Sequence, residues 1–352
     1  MKNSTVDILI KRNVPWLPLH NADSIALSSR IRLARNIAGI KFPIASNNID
    51  RENSQKIAIS AVNNSGVFEN PIIMNVNSMV PTDRNLLLER HLISREFCDG
   101  LPFSSLIFDL SESLSIMLNE EDHFRIQVIK SGFSLNEIWT QINDSDDMIS
   151  SKISYAYSNT LGYLTSCPTN VGTGMRASVM LNLPALTILG QINAVVQGAA
   201  KLGLTIRGLY GEGSESFGNL YQVSNQSTLG DSEEQIIGRV SSIIGQIINH
   251  EKNARQILLE TKANFLLDCV GRSFGILRYA HILSAREAHQ SLSALRMGVD
   301  LKMFNVLALD KINELFILIQ DSHLKKIVGR ELSQYEIDVF RAETVRKKLK
   351  EI

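Results

Sequence analysis

The stretch Phe124-Arg-Ile-Gln-Val-Ile129 decides the fold class, because apolar and polar side chains alternate along it. A period of two with one apolar face is typical of a half-buried β-strand. The residues from Met175 to Asn182 alternate in the same way, and Leu204–Gly208 and Leu220–Ser224 are predicted as further strands. Several strands with one polar face indicate an antiparallel sheet whose other face is covered by helices. We therefore expect an α+β fold.

Helical patterns lie between these strands and then replace them. The segment from Ala185 to Leu202 is predicted as one helix that ends at Gly203, and a long helix begins at the capping box of Ser232 and Gln235. Beyond about residue 262 only helical periodicity is found. This last region contains two more capping boxes, Ser284 with Glu287 and Ser333 with Glu336.

The length of 352 residues suggests about two domains. The change of pattern divides the chain into an α+β domain at residues 1–258 and a small all-helical domain at residues 259–352. The apolar stripes of the helical domain exceed what a small isolated domain needs, so we expect it to mediate a homodimer.

Composition excludes several classes of protein. The 36 Lys and Arg residues balance 36 Asp and Glu residues, and 44% of the chain is hydrophobic. A disordered chain and a general nucleic-acid binder are therefore not expected. No signal peptide and no apolar run of membrane-spanning length is found. Three cysteines without a CxxC spacing, and histidines without a ligand motif, predict a cytoplasmic protein with no protein-ligated metal.

Arginine is placed on the polar faces of the predicted strands. No P-loop, HRD or DFG motif is present, and the glycines fit no dinucleotide fingerprint. A single surface arginine is ordinary, but five on one sheet face require anionic partners, and the guanidinium fork matches phosphate oxygens. A polyphosphate is the predicted ligand of these five, which are Arg30, Arg32, Arg125, Arg176 and Arg207.

Acidic residues and one cysteine accompany the arginines. Asn119-Glu-Glu-Asp-His123 places three carboxylates directly before a strand, and Glu212 lies between two glycines. Alone, these segments read as a solvated loop and a simple turn. Cys167 precedes a loop that leads to Arg176, and alone it reads as a small buried hydrophobe.

Together these segments resemble the phosphagen kinases, and most closely the bacterial protein arginine kinases of the McsB type. The resemblance spans residues 28–212 in the family's order, and the Cys-Pro-Thr-Asn and Asn-Glu-Glu-Asp-His blocks are highly specific. The matching segments are Ser28-Ser-Arg-Ile-Arg-Leu-Ala-Arg-Asn36, Glu89-Arg-His-Leu-Ile-Ser94, Asn119-Glu-Glu-Asp-His-Phe-Arg125, Cys167-Pro-Thr-Asn-Val-Gly-Thr-Gly-Met-Arg-Ala-Ser178 and Arg207-Gly-Leu-Tyr-Gly-Glu212.

The resemblance implies a phosphagen-kinase catalytic core, of the glutamine-synthetase-like kind, that uses ATP and Mg²⁺. It implies that Glu121 and Glu212 grip the acceptor guanidinium beside the reactive Cys167, and we favour Glu121 as the base and Glu212 as the clamp. The metal would be held mainly by phosphates and water. Nucleotide contacts are expected at Ser28, Ser29, Arg30, Ile31, Arg32, His91, Arg125, Arg176, Ala177, Ser178, Val179, Met180, Arg207, Gly208, Leu209, Tyr210 and Gly211.

The acceptor is expected to be an arginine side chain of a protein. Small-molecule phosphagen kinases carry a helical domain ahead of the catalytic one, and the first motif here already begins at Ser28. Resemblance further implies clients sent to a Clp unfoldase–protease, control of a stress-gene repressor and a small zinc-binding activator. Two alternatives remain open, a kinase for free arginine or another small guanidino compound, and a non-catalytic degradation adaptor.

The tail departs from the family pattern in one place. Where the family has an Arg-Asp-x-x-Arg-Ala motif that recognises phosphoarginine, this chain reads Ile337-Asp-Val-Phe-Arg-Ala342. Asp338 could still receive a guanidinium and Arg341 could still meet a phosphate, or the two could form an ordinary surface pair. Since one cation is lost, we predict weak or absent activation by phosphoarginine.

Overall fold

The structure is a computed structural model, and it describes residues 5–17, 24–208, 216–304 and 308–350. Its strands are β1 Ala26–Arg35, β2 Ile72–Asn75, β3 Ser105–Phe108, β4 Leu114–Leu118, β5 Phe124–Ser131, β6 Tyr157–Ser158, β7 Gly162–Tyr163, β8 Met175–Asn182, β9 Leu204–Gly208 and β10 Leu220–Asn225. Its α-helices are α1 Thr5–Leu9, α2 Asn48–Ser65, α3 Pro81–Glu89, α4 Arg95–Cys98, α5 Leu135–Ser150, α6 Pro184–Ile188, α7 Ile192–Lys201, α8 Glu233–Thr261, α9 Ala263–Tyr279, α10 Ala285–Asp300, α11 Leu309–Leu318, α12 Asp321–Val328 and α13 Gln334–Lys350.

Eight strands form one antiparallel sheet in the order β2-β3-β4-β5-β1-β8-β10-β9. One face is apolar, and its side chains pack with α2, α5, α7 and α8 in the main core, as Ile31, Ile126 and Val179 do. The alternation that predicted the strands therefore places the intervening polar side chains on the opposite face. The predicted antiparallel α+β fold and all four predicted strands are confirmed.

The helix predicted from Ala185 to Leu202 is wrong as a single element. It is two helices, α6 and α7, separated at Gly190, whose φ is +70°. A left-handed residue ends a right-handed helix, and glycine adopts that conformation at little cost. The helix start at Ser232 is confirmed, since its side chain accepts from the Gln235 amide and the Gln235 side chain accepts from the Ser232 amide.

Helices α9, α10, α11 and α13 form a second core, which also receives Leu27 and Leu220 from the sheet. The long helix α8 passes through the predicted division at residues 258 and 259 and ends at Thr261. Beyond that point Leu266 and Val270 still pack with the main core. The helical part is thus closely joined to the sheet, and the division at residue 258 stays a prediction.

A carboxylate from the α+β part also holds the helical part in place. Glu89, at the end of α3, accepts hydrogen bonds from the backbone amides of Ser322 (2.8 Å) and His323 (3.0 Å) at the start of α12. Its Oε2 also lies 2.7 Å from Nδ1 of His323. A carboxylate at a helix N-terminus satisfies amides that have no partner within the helix. This contact fixes α12 beside the polar face of the sheet.

Candidate active site

The predicted arginines lie on the polar face of neighbouring strands. Arg125 comes from β5, Arg30 and Arg32 from the central β1, and Arg176 from β8, directly opposite Arg32. Arg207 lies on β9, opposite Gln222 of β10. Arg30, Arg32 and Arg207 line one large cleft. The sheet therefore brings the five cations together on one face.

These cations repel one another. Burial, followed by the charges of Arg125 and Arg176, lowers the pKa of Arg30 from 12.5 to about 10. Burial and the neighbouring arginines also lower the pKa of Arg32 and Arg176. The Nε atoms of Arg32 and Arg176 are buried and have no hydrogen-bond partner among the described residues. A buried donor without a partner is costly, so the cluster suits an anionic ligand.

The cleft has a volume of about 1500 Å³ and lies between the polar sheet face and the helical part of the chain. A narrower pocket of about 130 Å³ adjoins it at Arg30, His91 and Gln222. Besides Arg30 and His91, its polar groups are Ser28, Ser178, Gln222, His289 and Gln320. Its walls are mostly apolar and are formed by Trp16, Leu17, Leu27, Ile129, Met180, Leu220, Phe316 and Ile317. An apolar pocket beside a row of cations suits a nucleoside polyphosphate, because the base can enter the pocket while the phosphates meet the cations.

His91 joins the two cavities. Its ring centroid lies 5.4 Å from that of Trp16, and its backbone carbonyl accepts a 2.7 Å hydrogen bond from the Gln127 amide. Burial, and then the charge of Arg30, lowers the His91 pKa to about 3, so the ring is neutral near pH 7. Its φ of +60° is uncommon for a non-glycine residue. A neutral aromatic ring at this position can pack against a base without adding a further charge.

Neighbouring carboxylates of the acidic loop before β5 have different surroundings. Glu120 is buried and accepts hydrogen bonds from Arg125 and Ser94. No role was predicted for Glu120 from the sequence. Its position in the block of three acids was the local indication that it belongs to the site. Glu121 is exposed, and its pKa is raised by partial burial and then by the charge of Asp122. A carboxylate with a raised pKa is a stronger base.

Asp122 connects this loop to the segment that carries the cysteine. Its Oδ1 accepts hydrogen bonds from the Asn36 amide (2.6 Å) and from the backbone amide of Ser166 (2.7 Å). The Ser166 hydroxyl also donates to the Glu121 carbonyl at 2.7 Å. Cys167 follows Ser166 directly, so this hydrogen bond brings Cys167 next to the backbone of Glu121. The structure thus places Glu121 and Cys167 side by side, although 45 residues separate these loops along the chain.

Hydrogen bonds of side chains and one close backbone approach fix the conformation of the cysteine loop. Sγ of Cys167 lies 3.0 Å from Oγ1 of Thr169, and the Thr228 hydroxyl donates to the carbonyls of Thr169 (2.8 Å) and Val171 (2.7 Å). Gly172 has a φ of +109°, and a Cβ atom there would lie 2.3 Å from the Thr228 carbonyl oxygen. Only glycine fits such a position.

The other predicted nucleotide contacts divide by strand face. Ser28, Ser178 and Met180 line the apolar pocket, whereas the remaining strand residues alternate with the arginines and point into the opposite face. These residues are Ser29, Ile31, Ala177 and Val179. Their side chains lie on the face opposite the arginines, so they do not line the cleft. Gly208 ends β9. The predicted residues Leu209, Tyr210, Gly211 and Glu212 lie outside the described residues.

The expectation that Arg341 could meet a phosphate is not supported by its surroundings. Arg341 is fully buried, and it donates to the carbonyls of Ile319 (2.9 Å) and Leu283 (2.8 Å), to Asp338 (2.5 Å) and to Asp321. Its donors are used to join α12, α13 and the loop before α10. It is also no ordinary surface pair, since a buried guanidinium with four acceptors is part of the domain's interior.

Within residues 5–17, 24–208, 216–304 and 308–350, no group of three or more His, Cys, Asp or Glu side chains could hold a metal ion. Over the same ranges, every helix is too short or too polar to span a bilayer.

Two family models match the chain. The ATP:guanido phosphotransferase C-terminal catalytic domain matches residues 54–254, and the protein-arginine kinase McsB C-terminal domain matches residues 263–352. Two similar curated relatives bear the name protein-arginine kinase. That of Pelotomaculum thermopropionicum is 43% identical over 339 residues, covering 94% of each chain. That of Halothermothrix orenii is 40% identical over 347 residues, covering 98% of this chain and 99% of the relative.

Two solved structures with a similar fold are a taurocyamine kinase and a lombricine kinase. The duplicated taurocyamine kinase of Schistosoma mansoni, with bound transition-state analogue components, has a TM-score of 0.60 at 27% identity. The match covers 69% of this chain and 35% of that one, so this chain corresponds to about a third of the duplicated protein. A lombricine kinase has a TM-score of 0.58 at 22% identity, covering 69% of this chain and 70% of its own, and shows the fold alone.

Proposed function

The chain belongs to the protein-arginine kinase family of ATP:guanido phosphotransferases, and on that premise we propose that it transfers the terminal phosphoryl group of ATP to arginine side chains of proteins. The predicted family, fold class and kinase activity are confirmed. One observation carries the proposal for this site. The Arg125–Glu120 ion pair joins the arginine row to the acidic loop, and the Glu121 carbonyl of that loop accepts a hydrogen bond from Ser166, the residue before Cys167.

The chemistry follows from the charges. A guanidinium has a pKa above about 12 and is a poor nucleophile until it loses a proton. We propose that Glu121, whose pKa is raised by partial burial, takes that proton as the N–P bond forms. The arginines bind the phosphates and neutralise the charge that develops in transfer. Glu212 as a clamp, and Cys167 as a thiolate that polarises the acceptor, stay proposals.

The family implies ATP and a divalent metal. The protein's residues suit ATP, because Arg32 and Arg176 lie side by side on the polar face of the sheet and their Nε donors have no partner among the described residues. We infer that the metal is Mg²⁺, held mainly by the phosphates and water. Bound there, it would supply further neutralisation of the phosphate charge.

The acceptor is tested by offering two substrates. The protein is incubated with ATP and Mg²⁺ and with either free arginine or an unfolded polypeptide, and phosphoarginine is sought by mass spectrometry without acid treatment. We expect phosphoarginine on peptides. Product on free arginine alone would refute a protein kinase, and no phosphoryl transfer at all would favour an adaptor. Glu121→Gln should reduce turnover by about 10²–10⁴-fold. Glu69→Gln, an exposed carboxylate on a remote loop, should have no effect.

We also propose the wider role that the family implies. In it, the protein works in the cytoplasm, marks clients for a Clp unfoldase–protease, inactivates a stress-gene repressor and is assisted by a small zinc-binding activator. A client phosphorylated by this protein should be degraded by a Clp complex faster than the same client treated with Glu121→Gln protein.

Homodimerisation through the helical part is a further proposal. Phe265 and Leu267 of α9 are 54% and 55% exposed, and Tyr279 and Ile282 are exposed nearby in sequence. Large apolar side chains that remain exposed in a folded domain commonly mark an interface. Sedimentation of the wild-type chain and of Phe265→Asp with Leu267→Asp tests this: we expect a dimer and a monomer, respectively, and equal masses would reject the interface.

A further inference from the structure

The helical part of the chain closes the apolar pocket beside Arg30. The lining of this pocket includes His289 of α10, Phe316 and Ile317 of α11, and Gln320, which lies between α11 and α12. Gln320 and His289 also line the large cleft, so they border both cavities. A nucleotide with its phosphates on the arginines and its base in this pocket would therefore contact both parts of the chain.

The side-chain amide of Gln320 has a defined orientation. Its nitrogen lies 2.8 Å from the carbonyl oxygen of Phe316 and 3.1 Å from Nε2 of His289. A backbone carbonyl can only accept a hydrogen bond, so the amide nitrogen, and not the amide oxygen, must face Phe316. The nitrogen is used in both contacts, and the amide oxygen is the group that Gln320 retains for a ligand.

The tautomer of His289 agrees with this orientation. Nδ1 of this histidine lies 2.7 Å from the carbonyl oxygen of Ala285, so Nδ1 carries the ring proton. Burial lowers the pKa of His289 to about 4, so the ring is neutral near pH 7 and its Nε2 is an acceptor. This nitrogen can form a hydrogen bond with Gln320 only if the amide nitrogen of Gln320 points toward it.

The backbone that carries Gln320 is held from two sides. The buried Arg341 donates through Nε to the Ile319 carbonyl at 2.9 Å and through Nη2 to the carboxylate of Asp321, and these two residues flank Gln320. From the other side, Glu89 accepts hydrogen bonds from the next two backbone amides of α12. A polar group that is fixed before binding loses little conformational freedom when a ligand binds to it.

Trp16 supplies a second and independent observation. It lines the same pocket from the N-terminal segment and is 5% exposed. Its indole Nε1 can only donate, and this atom is buried without a hydrogen-bond partner in the described part of the chain. A buried donor without a partner is costly, so a ligand with an acceptor suits this wall. The pocket thus offers one donor and one acceptor, and adenine carries both kinds of group, the ring nitrogens and the 6-amino group.

We propose that Gln320 determines which base the nucleotide carries, because its amide oxygen accepts a hydrogen bond from the 6-amino group of adenine. The inference rests on the proposed function, in which a nucleoside triphosphate occupies the cleft. Guanine has a carbonyl oxygen in place of that amino group, and this oxygen cannot donate to Gln320. Recognition of the base therefore belongs to the helical part of the chain, whereas the sheet binds the phosphates.

The contact is tested by removing each partner in turn. Calorimetry of the full-length protein with Mg²⁺ measures the affinity for ADP and for purine riboside diphosphate, which is ADP without the 6-amino group. The wild type should bind ADP about three- to tenfold more tightly, the effect of one neutral hydrogen bond. Gln320→Met keeps the length of the side chain and removes its polar atoms, so it should bind the two nucleotides equally. Its affinity for purine riboside diphosphate should stay that of the wild type, which shows that the pocket is intact.

Two more variants make the result specific to Gln320. Gln290→Met, at an exposed glutamine of α10 that lines neither cavity, should keep the wild-type ratio of affinities. Trp16→Phe should weaken both nucleotides to the same extent, because both contain the ring nitrogens. The proposal is overturned if the wild type binds both nucleotides equally, or if Gln320→Met keeps the preference for ADP. Either result would leave the proposed phosphoryl transfer standing, whereas a wild type that binds neither nucleotide would reject the proposed function as well.

Discussion

Replacing Arg30 by methionine should make the ligand-free protein more stable while it disables nucleotide binding. The substitution keeps most of the length of the side chain and removes one charge from the arginine row. Arg30 is the cation whose pKa is lowered to about 10 by burial and by Arg125 and Arg176. A lowered pKa means that the folded state disfavours the charged form, and the full penalty applies at every pH below about 10.

The magnitude follows from that pKa. At about 1.4 kcal/mol per pKa unit, the change from 12.5 to about 10 is worth roughly 3 kcal/mol. Solvent in the open cleft screens these charges, so we expect Arg30→Met to gain about 1–2 kcal/mol of unfolding free energy. For a chain of 352 residues, that gain should raise Tm by roughly 1–3 °C.

Thermal denaturation with and without ATP and Mg²⁺ tests both halves of the prediction. The wild type should be stabilised by ATP, by about 2.7 kcal/mol at a hundred times Kd, and the variant should gain little. Its kcat/KM should fall about 10²–10³-fold. Arg272→Met, an arginine whose side chain is 77% exposed, serves as the control and should change stability by less than about 0.5 kcal/mol. A variant less stable than the wild type without ligand, or one that ATP stabilises equally, would refute the electrostatic reasoning.

Three further predictions concern other parts of the molecule. His91 has a pKa of about 3 in the folded protein, below that of an unfolded histidine, so the folded state loses stability as the pH falls below about 6.5. His91→Gln should reduce the loss of unfolding free energy between pH 7 and pH 5 by up to about 2 kcal/mol. Parallel pH profiles of the two proteins would contradict this. Gly172→Ala places a Cβ atom 2.3 Å from the Thr228 carbonyl oxygen and requires the cysteine loop to shift. We expect denaturant unfolding to show a loss of about 1–3 kcal/mol of unfolding free energy, together with reduced turnover. Gly190→Ala is the control, because a Cβ atom there has nothing within 4 Å and adds only the conformational cost of its positive φ. Free phosphoarginine should activate the enzyme weakly or not at all, because Ile337 is buried and Arg341 is already bound by four acceptors; strong activation in a peptide phosphorylation assay would show that another site senses it.

Local patterns in the sequence were sufficient for much of the fold. Alternation over Phe124–Ile129 and Met175–Asn182 predicted strands that the structure contains, because the side chains of a strand point to opposite faces whatever its neighbours are. The capping boxes at Ser232 and Ser333 were predictable for the same reason, since their hydrogen bonds close within four residues. The break at Gly190 was missed, because glycine is tolerated inside a helix and the local pattern does not reveal its left-handed conformation.

The candidate site shows the same division. The residue types and strand parity indicated an arginine row for phosphate, because that chemistry depends on side-chain charge and on which face a strand residue occupies. The resemblance to the phosphagen kinases, and not the local pattern, implied glutamates for a guanidinium. Only the tertiary structure decided that Glu120 is bound to Arg125, that the loops of Glu121 and Cys167 are hydrogen-bonded to each other, and that Arg341 is buried rather than free for phosphate. These contacts join residues distant in sequence or depend on how completely a side chain is enclosed, and burial is a property of the assembled fold that no local pattern contains.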